Sequence, residues 1–127
     1  MMSPRTAIPV VLTALLLSAC HVLEPDGPVE VRVRNGSSLT FDEGVLYVHM
    51  DSILFTSLEP GLETPYQEVE RAYRIATTQV VTGSDTARLQ VIDYVGEEPL
   101  RPGRYTFVLS FFEGSPTSLV QELEKDR

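Results

Sequence analysis

The stretch Val29-Glu30-Val31-Arg32-Val33-Arg34 alternates valine with charged residues without a break. Successive side chains of a β-strand point to opposite sides, so this alternation predicts a strand with one apolar face and one charged face. Residues 104–112 predict a second and stronger strand, because apolar side chains recur there at every second position. The residues that would share its core face are Tyr105, Phe107, Leu109 and Phe111.

A nearly continuous apolar run follows at residues 45–50, broken only by His49. Such a run is typical of a strand that is buried on both faces or passes between two layers. A turn at Asp51-Ser52 would then lead into residues 53–55, which continue the same sheet.

The second half of the chain carries further strand signals. Residues 73–82 and 86–92 are rich in β-branched side chains, and Gly83-Ser84-Asp85 between them predicts a hairpin loop. Residues 119–123 predict a last edge strand, and the charged tail 124–127 is predicted to fray.

The connection after the first strand begins with Asn35-Gly36, a pair typical of tight hairpins. A two-residue loop would pair Arg32 with Leu39 and so place apolar side chains on the charged face. An odd-length loop would pair Val33 with Leu39 instead. The pattern therefore favours either an odd-length loop or a crossover between two sheets.

One segment is ambiguous between helix and strand. Thr64-Pro65-Tyr66-Gln67 has the signature of a helix start, and we allow about one helical turn within residues 66–73. Leu58-Glu59-Pro60-Gly61 and Leu100-Arg101-Pro102-Gly103 each predict a type II turn. Short strands, regularly spaced turns and no long helix together predict an all-β fold, a single antiparallel β-sandwich.

The N-terminus has the pattern of a secretory signal. Arg5 precedes a mostly apolar run at residues 7–17, and small residues follow it. The run is too short to cross a membrane as a helix, since a span needs about 20 apolar residues.

Leu17-Ser18-Ala19-Cys20 at the end of that run resembles the lipobox of bacterial lipoprotein precursors. The resemblance implies cleavage between Ala19 and Cys20, a diacylglycerol on the Cys20 sulfur and an acyl chain on its new amine. Several acyl chains on one residue give stable membrane anchoring. His21 stands where lipoproteins kept in the inner membrane carry Asp, which implies the periplasmic face of the outer membrane.

The chain is thereby divided into three parts. Residues 1–19 are the predicted signal peptide, residues 20–28 the lipidated cysteine and a short tether, and residues 29–127 the sandwich domain. The stretch Leu100-Arg101-Pro102-Gly103-Arg104-Tyr105 resembles the turn-and-strand entry of immunoglobulin-like and transthyretin-like sandwiches. That resemblance implies a fold and no activity.

Composition narrows the functional classes. The chain has 127 residues and a formal charge of −8, and its basic residues are scattered among the acids. Nucleic acids attract clustered Lys and Arg, so nucleic-acid binding is not expected. Cys20 is the only cysteine, which excludes a disulfide within the chain.

Catalytic patterns are missing from the sequence. His49 is the only histidine of the predicted domain, Cys20 would be acylated, and there is no Gly-x-Ser-x-Gly motif. We therefore expect neither an enzyme nor a cofactor or metal site. Two acidic sets that could hold calcium lack EF-hand spacing and are interpreted as solvated loop acids. These sets are Asp42, Glu43 and Asp51, and Asp93, Glu97 and Glu98.

The predicted function is that of a non-catalytic interaction or structural module, anchored in the envelope and docking an envelope protein or cell-wall component. Phe112 would share a strand face with Val108, and this face is the predicted partner-binding surface. The alternative is a small-ligand-binding lipoprotein with a pocket between the sheets. Tyrosines that could line such a pocket are Tyr47, Tyr73 and Tyr105.

Overall fold

The computed structural model describes residues 27–92 and 97–126, where the regular structure is β apart from one 3₁₀ turn at Phe112–Gly114. The eight strands are β1 Val29–Asn35, β2 Phe41–Val48, β3 Asp51–Leu58, β4 Gln67–Val69, β5 Thr77–Thr82, β6 Asp85–Leu89, β7 Gly103–Phe111 and β8 Leu119–Asp126.

The strands form two four-stranded sheets around one core. Sheet A has the order β4-β1-β7-β8 and sheet B the order β3-β2-β5-β6. The predicted β-sandwich is confirmed. The pair β1–β7 is parallel, with Val29 beside Gly103 and Asn35 beside Leu109, whereas the other strand pairs are antiparallel.

The core follows the alternation in the sequence. Val31 and Val33 of β1 are fully buried, and the four predicted core residues of β7 are all buried. Phe41 of sheet B joins the layers, because its ring lies edge-on to that of Phe111 at 5.7 Å and 6.1 Å from that of Phe55. Such aromatic contacts add to the burial of apolar area that holds the sheets together.

The connection from β1 is a crossover, the second of the two predicted alternatives. β1 lies in sheet A and β2 in sheet B. Asn35 is fully buried at the crossing, and its side-chain amide donates hydrogen bonds of 2.8 Å to the carbonyls of Leu39 and Leu58. This side chain therefore satisfies main-chain acceptors where no strand can do so.

Residues 45–50 differ from the prediction of a doubly buried strand. Leu46 and Val48 are buried, but Tyr47 between them is 49% exposed, so β2 has one solvent face. The turn to β3 lies at His49-Met50, two residues before the predicted Asp51-Ser52, and His49 adopts a φ of 53° there. The prediction was wrong because tyrosine is apolar in bulk yet tolerates exposure through its hydroxyl.

No helix forms at residues 66–73 within the described chain. β4 instead pairs antiparallel with β1, with Val29 beside Val69. The Thr64 hydroxyl does not cap a helix; it accepts a hydrogen bond from the Val33 main-chain N–H at 3.0 Å. A single helical turn is intrinsically unfavourable, so pairing with an existing strand overrides the local signal.

Two further predictions concern the loop between β5 and β6 and the charged C-terminal tail. The predicted hairpin is confirmed, with a loop of Gly83-Ser84 that is one residue shorter than predicted, because Asp85 belongs to β6 and pairs with Thr82. The fraying predicted for the tail was wrong for residues 124–126, because β8 continues to Asp126 and pairs it with Arg104. Arg127 lies outside the described residues.

Candidate functional site

The two sheets present very different outer faces to solvent. We call the outer side of sheet A the charged face; it comprises Glu30, Arg32, Arg34, Arg104, Glu124 and Asp126. We call the uncharged part of the outer side of sheet B the apolar face; it comprises Val45, Tyr47, Leu54 and Val81, with Thr56 and Gln79 between them. The charged residues Glu43 and Arg88 of the same side border it.

Three arginines of the charged face are paired with neighbouring carboxylates. Arg34 donates to Glu63 at 3.0 Å and to Glu124 at 2.9 Å. These two hydrogen bonds raise the pKa of Arg34 above its ordinary value. Arg104 donates to Glu30 at 2.9 Å, which raises the pKa of Arg104 in the same way.

A second cluster lies beside these pairs and covers Thr106, which is fully buried. Arg32 donates to the Thr106 hydroxyl at 2.9 Å and forms an ion pair with Glu63 at 2.8 Å. The Thr106 hydroxyl in turn donates to the Asp126 carboxylate, which also accepts the Tyr66 hydroxyl at 2.6 Å. The guanidinium of Arg32 lies 4.4 Å from the centre of the Tyr66 ring, within cation–π range.

This cluster shifts two pKa values in opposite directions. Burial alone would raise the pKa of Asp126, but hydrogen bonds from Thr106 and Tyr66 and the charge of Arg32 hold it below its ordinary value. Burial, followed by the hydrogen bond to Asp126, raises the pKa of Tyr66. The polar groups of the charged face therefore form hydrogen bonds and ion pairs with one another, and these contacts hold β8 in place.

The apolar face has a different organisation. Leu54 of β3 lies across from Val45 of β2, and Val45 lies across from Gln79 of β5. Tyr47 lies in the next row, between Ser52 and a threonine of β5. Leu54 is 75% exposed although it is a large apolar residue at the middle of a strand.

A shallow groove of about 280 Å³ follows these rows. Its lining includes Glu43, Val45, Leu54, Val81, Thr56 and Gln79. Contiguous exposed apolar side chains rimmed by polar ones mark interaction surfaces more often than isolated ones do. The apolar face is thus the candidate functional site.

The structure places the two predicted partner-binding residues in different elements. β7 ends at Phe111, and Phe112 begins the 3₁₀ turn, so Phe112 does not continue the strand face as predicted. Phe112 is 62% exposed. Val108 is half-buried on the outer side of sheet A, between Arg34 and Glu122 of the neighbouring strands.

The three tyrosines proposed for a pocket between the sheets lie in different places. Tyr47 is on the apolar face, outside the sandwich, whereas Tyr105 is buried and donates its hydroxyl to the Arg101 carbonyl at 2.7 Å. A cleft of about 380 Å³ adjoins Tyr105, and four of its eight lining residues are charged, among them Arg74 and Lys125. Tyr73 is half-buried, and its ring lies 6.5 Å from that of His49.

The acidic loop residues have structural contacts of their own. The Asp42 carboxylate accepts the main-chain N–H of Gly83 and so holds the hairpin between β5 and β6. The Asp51 carboxylate accepts the main-chain N–H of Glu70 at 3.4 Å. Within residues 27–92 and 97–126 no group of three His, Cys, Asp or Glu side chains is placed to hold a metal ion. Asp93 lies outside the described residues.

The predicted lipidation and cleavage positions, Cys20 and Ala19, also lie outside the described residues. The same holds for the predicted signal peptide 1–19 and for most of the tether. Among the residues that the structure describes, no helix has the length and apolar character needed to cross a membrane.

Comparison of the chain with protein-family models, curated proteins and solved structures finds no match. The sequence contained one signal for the candidate site: Val45 and Tyr47 are two residues apart on β2, which places both on one face. Leu46 between them and Val48 after them are apolar residues of the core, and they concealed that alternation.

Proposed function

We propose that this protein is a lipid-anchored, non-catalytic interaction module of the bacterial cell envelope. The anchor is the lipidated Cys20, exposed by cleavage after Ala19 and sorted to the periplasmic face of the outer membrane. The support for this anchor is the four-residue lipobox, Leu17-Ser18-Ala19-Cys20, behind an apolar run too short to span a bilayer.

The docking partner in this proposal is an envelope protein, and the apolar face is the surface that receives it. One observation carries the proposal: a chain of charge −8 leaves an uncharged patch around Tyr47 and Leu54 open to solvent. Exposed aromatic and aliphatic side chains contribute to binding when a partner covers them, because apolar area is then removed from water.

The short tether sets the geometry of docking. Residues 20–28 extend to at most about 30 Å when fully stretched, at about 3.3–3.6 Å per residue. The sandwich therefore stays close to the membrane that holds its anchor, and partners are proteins of that membrane surface.

The anchor is tested by growth with a labelled fatty acid and fractionation of the cells. The full chain is expected to take up the label and to sediment with membranes. Its matched control, Cys20→Ser, is expected to remain unlabelled. Label in Cys20→Ser, or an unlabelled native chain, would contradict the anchor.

The docking surface is tested by chemical crosslinking in intact cells with two double variants. The face variant Tyr47→Lys/Leu54→Lys places two charges on the apolar face. The matched loop variant Leu62→Lys/Ile92→Lys places two charges at exposed apolar residues outside sheet B. We expect the crosslinked species of the native protein to disappear in the face variant alone. Equal behaviour of the two variants would remove the apolar face from the proposal.

A further inference from the structure

β3 leaves main-chain hydrogen-bonding groups open at the edge of sheet B. A two-residue loop at 49–50 joins β2 to β3, so hydrogen-bonded and non-hydrogen-bonded pairs alternate outwards from it. The N–H and C=O groups of Ser52, Leu54 and Thr56 therefore point away from β2. The side-chain amide of Gln67 donates to the Ser52 carbonyl at 3.2 Å, in agreement with this orientation.

The other edges of the sandwich are protected in ways that β3 is not. β4 has three residues, and β6 has five with Arg88 among them. β8 is as long as β3 but carries four charged residues over its last five positions. β3 has eight residues, and its only charge is Asp51 at the start. Long edge strands without charges are the ones that pair with another chain.

We infer that β3 pairs antiparallel with β3 of a second copy of this chain, about a two-fold axis at Leu54. This inference rests on the proposed function, because it assumes that the lipid anchor concentrates the chain on one membrane surface. In this register Leu54 pairs with Leu54 of the second copy, and Ser52 with Thr56. No other register pairs these three residues with one another. The two apolar faces then form one surface across an eight-stranded sheet.

Charge selects the same register. Two copies of a chain with charge −8 repel each other, so an interface between them forms where acids are fewest. Centring on Leu54 places Asp51 opposite Ser57 of the second copy. Moving the centre to Phe55 would place Asp51 opposite Glu59, so that two acids face each other. Moving the centre to Ile53 would place Thr56 opposite the loop residue Met50 and leave it unpaired.

The pairing satisfies groups that are now open to solvent. Each of the three residue pairs exchanges two main-chain hydrogen bonds, and the Ser52 carbonyl has a second lone pair beside the one that Gln67 uses. Leu54, now 75% exposed, becomes covered by Leu54 of the second copy. The contact is small, so it depends on the raised local concentration that a shared membrane anchor gives.

The inference is tested by placing a benzophenone amino acid at position 54 of the full chain in living cells. Irradiation is expected to yield a species of two copies, identified by mass spectrometry. The matched position is Ile92, which is 95% exposed in a loop and should yield none. A product with a different protein alone would overturn the self-pairing and leave the proposed docking function standing. No product at position 54, or equal products at both positions, would overturn the inference.

A second variant tests whether the strand edge mediates the contact. Thr56→Pro removes an edge-facing N–H and leaves the β2–β3 ladder intact, as edge strands tolerate. With the crosslinker at position 54, the two-copy product should fall about tenfold, since two main-chain hydrogen bonds are lost across the dyad. Thr56→Val keeps the N–H and should match the native yield. An unchanged yield in Thr56→Pro would contradict strand pairing.

The anchor and the self-pairing fail in different ways. If Cys20→Ser leaves the two-copy yield unchanged, the membrane does not concentrate the chain and the proposed anchor loses support. The contrast between positions 54 and 92 then still decides the self-pairing.

Discussion

The charged face and the apolar face lie on opposite sides of one sandwich and both arise from strands with alternating side chains, yet their outward residues differ in kind. On sheet A the outward residues are charged, and the guanidinium of Arg32 lies among a hydroxyl, two carboxylates and an aromatic ring. On sheet B the outward residues around Leu54 are apolar or uncharged, and solvent covers them.

The difference teaches which surface is available for binding. A polar group that is already hydrogen-bonded within the fold gains little from a partner, because binding must first remove that bond. An exposed leucine gains from any partner that excludes water from it. The charged face therefore contributes to stability, and the apolar face is free to contribute to recognition.

The largest expected effect on stability comes from breaking the charged face at Arg32. Arg32→Ala removes the hydrogen bond to Thr106, the ion pair with Glu63 and the contact with the Tyr66 ring. We expect a loss of about 2 kcal/mol in the free energy of unfolding, measured by urea denaturation. Arg88→Ala, its counterpart on sheet B, should change this value by less than about 0.5 kcal/mol. Similar losses in both variants would erase the contrast between the faces.

A smaller effect is expected at Thr106, whose hydroxyl lies beneath the charged network. Thr106→Val keeps the shape but removes the acceptor for Arg32 and the donor to Asp126. The expected loss is about 1–2 kcal/mol in the same measurement. Thr86→Val on the exposed outer side of sheet B is the control and should be nearly neutral. An unchanged free energy of unfolding in Thr106→Val would show that packing, and not the hydrogen bonds of the hydroxyl, stabilises this position.

Acid should weaken the charged face selectively. The pKa of Asp126 is lowered in the folded chain, so its carboxylate stabilises the fold above the ordinary carboxyl pKa of about 4. This stabilisation is lost as the pH falls from that value through the folded pKa. The melting temperature is measured between about pH 2 and 5, a range set about the carboxyl pKa. As the pH is lowered, it should fall less steeply for Asp126→Asn than for the native chain. If the melting temperatures of the two proteins fell in parallel with pH, Asp126 would not stabilise the fold in this way.

The smallest effect on stability is expected on the apolar face. Leu54→Ser should change the free energy of unfolding by less than about 0.5 kcal/mol, because the side chain is 75% exposed before the change. Chemical denaturation of the dilute protein measures this. A loss above about 1 kcal/mol would mean that Leu54 belongs to the fold and not to a docking surface.

The strands with strict alternation were predictable from the sequence. β1 and β7 lie where the pattern placed them, since a period of two leaves one way to bury the apolar set. The charged tail was not predictable as a strand. Asp126 is held by Tyr66, 60 residues away, and such contacts depend on how distant strands are paired within sheet A, which local pattern does not encode.

The apolar face was only partly visible in the sequence. The run at residues 45–50 mixes core and surface positions, and only the pairing of β2 with β3 and β5 assigns Tyr47 to the outside. Phe112 illustrates the converse. It follows an alternating strand in the sequence, but the chain turns at Phe112–Gly114, where Glu113 takes a φ of 51°.

In the proposed function the apolar face, and not the charged face, receives the partner. The most direct measurement compares photocrosslinking in living cells from a benzophenone amino acid at Tyr47 with that at Glu122, an exposed outward position on sheet A. We expect discrete protein products from position 47 and only background from position 122. Products of equal yield from both positions, or products from position 122 alone, would contradict the proposal.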